Sequence, residues 1–494
     1  MTKISNDNLI NSKTLQLSSN LNIPLVVDLD GTLSLVDTLH ESAILFFKKN
    51  PFFNFFVMFF WAIQGKAKFK NNIAKNSILS VDLIPYNKNF LSWLKMQRSE
   101  GRRLILCTAA SQIIANKVAD HLEIFDDVIA STSIKNISGK EKALILEDRF
   151  GGSGFIYAGN SSEDLFVWQK ATELVLVNTS ERVKESLQNT GSSFLEFPRS
   201  SIKLIHWIKM FRLHQWSKNI LIFLPLVAAH QFYNFSNIYS LLVAFLSIGL
   251  CASATYMLND IIDLESDRLH PTKKLRSFAS GEVPVIFATT MFLLFCISLF
   301  LALTIHLKFA LILILYTLIT LAYSFFLKSI EIIDCIVLAA LYTIRIIAGA
   351  IVIDNVPSFW LIAFSILFFF SLAFLKRYAE MLSIQNLGEN IIHGRGYLSS
   401  DNPLILSLGV SSGLGSVVVM MLYLNSPEIL MLYNYTEIVW CTIPILLFWI
   451  SHIWLQAHRG NMHDDPVIFA ITDRVSIISS VIFFICIVLG ARGF

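Results

Sequence analysis

From about residue 217 to the C-terminus the chain is a succession of apolar runs, most near twenty residues long, separated by short loops that carry most of the charge. A run of that length crosses the roughly 30 Å of bilayer hydrocarbon as one helix, and in lipid the backbone N–H and C=O groups must be satisfied within the segment, so a helical bundle is the expected fold. About nine spans are expected, near 217–233, 237–258, 285–305, 308–327, 333–353, 357–375, 403–424, 437–456 and 475–492. Residues 1 to about 200 have ordinary charge density. The overall balance, 54% hydrophobic and 15% charged, is therefore that of a two-part protein: a soluble domain over 1–200 and an integral membrane domain over 201–494.

The first twenty residues are polar and lack the apolar core of a signal peptide, which keeps the soluble domain in the cytosol. Lys and Arg disfavour translocation of short loops. With the N-terminus inside, Lys209, Arg212, Lys218, Arg268, Lys273, Lys274, Arg276, Lys328, Lys376, Arg377, Arg395, Arg459 and Arg474 fall on the cytoplasmic side, and the opposite side keeps only Lys308 and Arg492. A multi-pass protein of a bacterial cytoplasmic membrane, with its C-terminus outside, is expected. Net charge is +3, which gives no reason to expect a nucleic-acid partner. Six cysteines stand apart with no C-x-x-C spacing, which disfavours both a disulfide framework and a thiolate metal site.

The most specific polar pattern lies at the cytoplasmic end of the second span: Asn259-Asp260-x-x-Asp263-x-x-x-Asp267. If the helix runs on past the membrane surface, the three aspartates share one face. Carboxylates stacked in this way repel unless a cation lies among them, and hard oxygen ligands suit Mg²⁺, whose shell a substrate phosphate completes. The alternative is an acidic loop in water, neutralised by Arg268, Lys273 and Lys274.

With its span count, this pattern resembles the UbiA superfamily of intramembrane transferases over about residues 205–494. The segment His270-Pro271-Thr272-Lys273-Lys274-Leu275-Arg276 and the stretch Leu213–Asn219 are similar to the branch typified by decaprenyl-phosphate phosphoribosyltransferase, with Ser277 where that branch has proline. The resemblance implies Mg²⁺ on Asp260, Asp263 and Asp267, and Asn259, Lys273 and Arg276 near a substrate diphosphate. A second acidic motif of the superfamily is represented only by Glu331 and Asp334, so Asp334 is the remaining candidate metal ligand. Asp334 and Arg345 lie about three turns apart on one helix. A charge in such a helix faces a cavity or a partner, and an axial gap of roughly 16 Å argues against their direct pairing. Lys328, Arg345, Lys376 and Arg377 are candidate phosphate ligands, Arg by its two-donor fork and Lys as a point charge, although flanking charge alone would also place bases there. The loop from Arg459 through His463, Asp464 and Asp465 to Pro466, followed by Asp473-Arg474, resembles a polar segment of the same branch, and His393-Gly394-Arg395 adds a base.

In the soluble part an apolar strand signal runs into Asp28-Leu29-Asp30-Gly31-Thr32. A carboxylate at a strand end can attack a phosphoryl group, with a second carboxylate as acid and base. Thr108 ends Leu104-Ile-Leu-Cys-Thr108, and Lys140 and Gly159-Asn160…Asp164 follow. In order, these resemble the four motifs of the haloacid dehalogenase (HAD) superfamily, an α/β Rossmann-like fold whose members are mostly magnesium phosphatases. The resemblance implies Asp28 as nucleophile, Asp30 as acid and base, Thr108 and Lys140 on phosphate, and a Mg²⁺ site of Asp28, Asp30, Asn160 and Asp164. Asn160 stands where an aspartate is usual, which removes a charge from that site. An insert over about 37–100 contains Pro51-Phe-Phe-Asn-Phe-Phe-Val-Met-Phe-Phe-Trp61, too short to span a bilayer and suited either to a cap core or to the membrane surface.

Together these features point to Mg²⁺-dependent transfer between a polyprenyl phosphate and phosphoribosyl diphosphate, with the soluble domain removing the 5-phosphate. One competing reading is polyprenyl transfer to an aromatic acceptor, as in quinone or haem pathways. Another is a lipid-phosphate transporter or a membrane anchor for the soluble domain, which one-sided acidic groups without detectable repeats disfavour.

Overall fold

The computed structural model describes residues 20–189, 191–198, 204–231, 233–270, 272–385, 395–427, 433–462 and 466–492. Pro271, His393, Gly394, His463, Asp464 and Asp465 lie outside them. The chain forms two compact units, one of residues up to Met210 together with Asp260–Ala288, the other of Phe211–Asn259 with Thr289–Phe494. The chain first crosses between them at 210/211, and the aspartate-bearing loop belongs with the N-terminal unit.

The N-terminal unit is built on six parallel strands, β1 (Leu25–Val27), β2 (Leu104–Ser111), β3 (Asp127–Ser131), β4 (Ile156–Gly159), β5 (Glu173–Val177) and β6 (Phe194–Phe197), in the order β3-β2-β1-β4-β5-β6. Their near-continuous apolar runs are what a parallel sheet covered on both faces requires. Leu25, Val27, Leu104 and Leu106 enter one core, while Val26, Ile105 and Tyr157 enter the other. Strand succession reverses direction at β1, where β2 and β4 flank it, and in open parallel sheets the crevice beyond the strand C-termini at that point is where ligands bind. Asp28 is the first residue past β1.

Between β1 and β2 lie α1 (Thr38–Lys49), α2 (Pro51–Ile63), α3 (Lys66–Asn76) and α4 (Lys88–Ser99). Asp37 caps α1, accepting from the backbone N–H of Leu39 at 2.9 Å and His40 at 3.1 Å, and Pro51 opens α2 where a missing N–H costs nothing. The strands that follow are linked by α5 (Gln112–Leu122), α6 (Lys140–Phe150), α7 (Leu165–Trp168) and α8 (Glu181–Asn189). Then come α9 (Leu204–Phe211), a 3-10 segment Leu213–Phe223, α10 (Leu224–Ala228), α11 (Phe235–Ile262) and α12 (Leu264–Leu269).

Eight helical segments among the described residues are long and apolar enough to cross a membrane: Phe235–Ile262, Val285–Ile305, Leu307–Phe325, Ile333–Val352, Phe359–Ser383, Ser399–Leu424, Thr436–His458 and Arg474–Ala491. They contain α11, α13 (Thr290–Ile305), α14 (Leu307–Phe325), α15 (Ile333–Val352), most of α16 (Phe359–Gln385) and α17 (Asn402–Leu424). The ninth span expected at 217–233 is corrected to the 3-10 segment and the five-residue α10. Its backbone lies directly on α15, where a Cβ at Gly349 would come within 2.0 Å of the Ile222 carbonyl oxygen; only glycine permits that approach. Small residues serve the same end on α17, whose Gly409 faces the Trp454 ring and whose carbonyl accepts from Ser371 Oγ at 2.6 Å.

Candidate functional site

Two groups of candidate residues fall in the N-terminal unit and one in the bundle. At the C-terminal edge of the sheet, Asp28 is buried and its Oδ1 accepts from Lys142 Nζ at 2.9 Å. Lys142 also stands 3.6 Å from Asp164 and donates to the Tyr157 hydroxyl at 2.8 Å. Its ammonium is held above the ordinary lysine range because the Asp28 and Asp164 charges outweigh burial. Lys140, the lysine expected on phosphate, is exposed instead, with Nζ 5.1 Å from the Phe166 ring centre. Lys142 is in register with Leu146 and Phe150 on the buried face of α6, and Lys140 is not.

Asp164 is also placed differently from the expected metal ligand. Its Oδ2 accepts from the N–H of Asn160 and Ser161 and from Ser161 Oγ, each at 3.0 Å, while Oδ1 accepts from Tyr157 at 2.7 Å. Those bonds and Lys142 hold its carboxyl below the usual range against the burial that opposes them, and they leave it a loop-fixing role. Asp30 Oδ1 accepts from Thr38 N–H at 2.8 Å. Burial first, then the charge of Asp37, raises its carboxyl to about 8; burial raises Asp28 to about 6 despite Lys142. Asn160 lies against Gly31, where a Cβ would come 2.0 Å from its Nδ2. Thr108 accepts from Ala110 N–H at 3.0 Å, which leaves its hydroxyl proton to donate. Two carboxylates destabilised as anions beside an amide oxygen make a donor set that fits a hard dication.

In the aspartate loop the helix does not run straight on. α11 stops at Ile262 and α12 starts after Asp263, so the expected single stripe is broken at its middle residue. Asp260 and Asp267 nevertheless meet, on Arg276, whose NH1 donates to Asp260 Oδ1 at 3.1 Å and to Asp267 Oδ2 at 2.6 Å. Asp263 shapes the turn through its carbonyl, which accepts from Asp267 N–H and Ser266 Oγ, both at 2.8 Å. His270 Nδ1 accepts from the N–H of Thr272 and Lys273, at 3.3 and 3.4 Å, and so folds back the loop that carries the lysine. Among the described residues no three His, Cys, Asp or Glu side chains form a metal cage. The donors still suit Mg²⁺: Asp260 and Asp267 are buried oxygen donors, and burial raises Asp267 to about 6 even with Arg276 beside it. Neighbouring Arg268 donates through both terminal nitrogens to Glu41 of α1, at 2.9 and 2.5 Å, and through Nε to the Ala279 carbonyl at 3.1 Å.

In the bundle, Asp334 is fully buried and pairs with Arg377, whose Nε donates at 2.5 Å, and with the Tyr397 hydroxyl at 2.5 Å. Arg377 also pairs with Glu380 and donates to Tyr323 at 3.2 Å, and Arg395 stands 3.5 Å from both Asp334 and Glu380. Two guanidinium groups thus balance two carboxylates. Asp334, expected as a metal ligand, is enclosed by these donors, and Arg377 is committed to them. Arg345 is separate from this network, as its distance along α15 required: it donates to Asn219 at 3.0 Å and Tyr316 at 2.8 Å, with its guanidinium 5.0 Å from the Tyr316 ring. Lys376 shares with Lys218 and Tyr342 the wall of a cavity of about 40 Å³. Lys328 lies half-buried in the short 3-10 turn Leu327–Ser329, and Asn259 is half-buried on α11. Tyr323, Glu380, Arg395 and Tyr397 are not singled out together from sequence, because only the fold brings Tyr323 and Asp334 to Arg377, 54 and 43 positions further on.

Residues 220–458 match the profile of the UbiA prenyltransferase family. A decaprenyl-phosphate phosphoribosyltransferase of Mycolicibacterium smegmatis is 30% identical over 278 residues, 54% of this chain and 86% of that one. The chain belongs to the UbiA prenyltransferase family. As a family member it is a transferase, and the eight long apolar helices among the described residues make it a multi-pass membrane protein. Nodulation protein NoeC of Azorhizobium caulinodans is similar at 31% identity over 281 residues, 56% of this chain and 91% of its own. Both relatives are matched almost end to end by little more than half of this UbiA family chain. The protein y4nM of Sinorhizobium fredii is 36% identical over 458 residues, 92% of this chain and 88% of that one, so the similarity there extends through most of the N-terminal unit as well.

Proposed function

We propose that this chain joins a polyprenyl phosphate to the ribose of phosphoribosyl diphosphate, releasing diphosphate, and that its N-terminal unit is a HAD-type phosphatase that removes the 5-phosphate from the product. The observation that carries the first step is the meeting of Asp260 and Asp267 on Arg276, within a segment that resembles the phosphoribosyltransferase branch. Asp260 and Asp267, with Asp263 beside them, would hold Mg²⁺, which when bound supplies positive charge to the leaving diphosphate. Arg276 and Lys273 take phosphate oxygens of the donor, and Asn259 adds an amide donor. In the bundle, Lys328 and Lys376 are candidate phosphate ligands by their charge, while Arg377 and Arg395 fix Asp334 and Glu380. A lipid phosphate oxygen attacks the anomeric carbon as the bond to diphosphate breaks, so preorganised positive charge is the main contribution asked of the protein.

For the second step Asp28 is the nucleophile toward phosphorus, Asp30 protonates the departing ribose oxygen, and Lys142 and Thr108 hold the phosphoryl oxygens; water deprotonated by Asp30 then attacks the aspartyl phosphate, releasing phosphate and freeing Asp28. The elevated proton affinity of Asp30 suits an acid that must be protonated near neutral pH. Asp28, Asp30 and Asn160 would be the holders of Mg²⁺ there. The orientation proposed puts the N-terminal unit in the cytoplasm of a bacterial cell and the C-terminus outside.

To test the first step, membranes bearing the full chain are given radiolabelled phosphoribosyl diphosphate, polyprenyl phosphate and Mg²⁺, and the lipid fraction is counted. Label should enter lipid, and should be lost with EDTA and with Asp260→Asn. Absence of label, or label indifferent to both treatments, ends the phosphoribosyl reading.

A further inference from the structure

Helix α2 is built inside out. Its inward stripe, at helical spacing, is Asn54, Val57, Met58 and Trp61, of which only Asn54 is fully buried, donating to the Phe46 carbonyl at 2.6 Å. Its outward surface is Phe52, Phe53, Phe55, Phe56, Phe59 and Phe60, each between 57% and 81% exposed. Six such rings present roughly 600 Å² of contiguous apolar surface, at the upper end of what soluble proteins leave in water and typical of a site that meets a partner. At 13 residues the helix is about 20 Å long, too short to span a bilayer.

The chemistry of its surroundings identifies the partner. Residues 42–81 contain six lysines and no acidic residue. Lys48 lies in the last turn of α1, and Lys66 and Lys68 in the first turn of α3; all three are exposed, in the segments that flank α2. Aromatic rings flanked by ammonium groups suit an anionic lipid surface, where the rings enter the headgroup boundary and the lysines meet phosphates. The unit is also covalently tied to membrane-spanning chain at three places, 210/211, 259/260 and 288/289, which confines it to the neighbourhood of a bilayer.

The same insert reaches the carboxylate site. Lys70, further along α3, donates to the Ala109 carbonyl at 2.8 Å and to Asn136 Oδ1 at 3.0 Å, next to Thr108. One short helical hairpin therefore joins an aromatic outer surface to an ammonium group at the site.

We propose that α2 lies in the headgroup layer of an anionic membrane, and that the Asp28–Asp30 site takes its phosphate monoester from lipid-linked molecules presented at that surface, with Lys70 helping to receive the phosphate. The second half of this proposal rests on the phosphatase reading given above; the first does not.

The full chain in nanodiscs containing phosphatidylglycerol, with a benzophenone amino acid at Phe56, should form lipid adducts on illumination, whereas the same group at Ile134, 92% exposed in the same unit, should not. Equal labelling at both positions, or adducts at Phe56 only with a second protein chain, overturns the membrane assignment. In the same nanodiscs the triple change Phe52→Ser, Phe56→Ser and Phe59→Ser should lower hydrolysis of polyprenyl-phosphoryl-5-phosphoribose at least tenfold and leave hydrolysis of water-soluble ribose 5-phosphate unchanged. An equal fall for both substrates, or none for the lipid, overturns delivery from the membrane. If the wild-type chain hydrolyses neither, the phosphatase reading fails and takes the second half with it, while the cross-linking result still decides where α2 lies.

Discussion

Lys142 pairs with both Asp28 and Asp164 inside the sheet edge. Lys142→Met should leave two buried carboxylates without their cation and cost about 3–5 kcal/mol, read as faster amide exchange across β1 and β4, while Lys140→Ala should change exchange by less than about 0.5 kcal/mol. The reverse ranking would return the phosphate role to Lys140. The protons on the carboxylates give a second expectation at this scale. Asp28 and Asp267 are raised to about 6 and Asp30 to about 8, against about 3.9 in an unfolded chain. The folded unit therefore binds protons more tightly, and its stability, with EDTA present, should fall as pH rises from about 5 to 8, with Asp30→Asn removing the upper part of the slope. Protease resistance measured across that range checks the sign. These residues also show what could be read from the chain. Asp28 and Asp30 stand out because an apolar strand ends on them, whereas choosing between two lysines in the first turn of α6 required knowing which face was buried.

At the scale of elements, the decisive piece is the segment from Asp260 to Ala288. Its pattern of aspartates is plain in sequence, and its position after an apolar span is too. Its anchoring is not, since Glu41 and Arg268 are separated by 227 positions and nothing local in either helix demands the other. Glu41 and Arg268 are both buried at the side chain, so Glu41→Ala should strand the guanidinium and cost about 3–5 kcal/mol, raising amide exchange in α12 and around Gly281. Gly281 itself has φ +76° and sits against Leu35, Val36 and Pro85, so Gly281→Ala should loosen the same segment. If exchange in α12 is unmoved by either change, the loop is held by something else. The span expected at 217–233 shows the opposite limit. Hydropathy there is high, but the close approach of Ile222 to Gly349 and the Asn219–Arg345 bond favour a tight 3-10 path over a transmembrane helix.

At the scale of the whole chain, hydropathy alone separates a membrane part from a soluble one, because lipid and water impose different compositions on backbones that must satisfy their own hydrogen bonds. What hydropathy does not reveal is that the compact units are not sequential, with an internal segment of the membrane part folding with the N-terminus. The y4nM relative shares similarity over 92% of this chain, so the joining of the two parts is not peculiar to it. The central claim is that one chain makes a polyprenyl-phosphoryl ribose in two steps. It is tested most directly by mass spectrometry of the lipid formed from polyprenyl phosphate, phosphoribosyl diphosphate and Mg²⁺ by the full chain in nanodiscs. The wild-type product should lack the ribose 5-phosphate, Asp28→Asn should yield the product with that phosphate retained, and Asp260→Asn should yield no product. An unchanged product from Asp28→Asn, or a phosphoribosyl lipid formed by Asp260→Asn, would contradict the account.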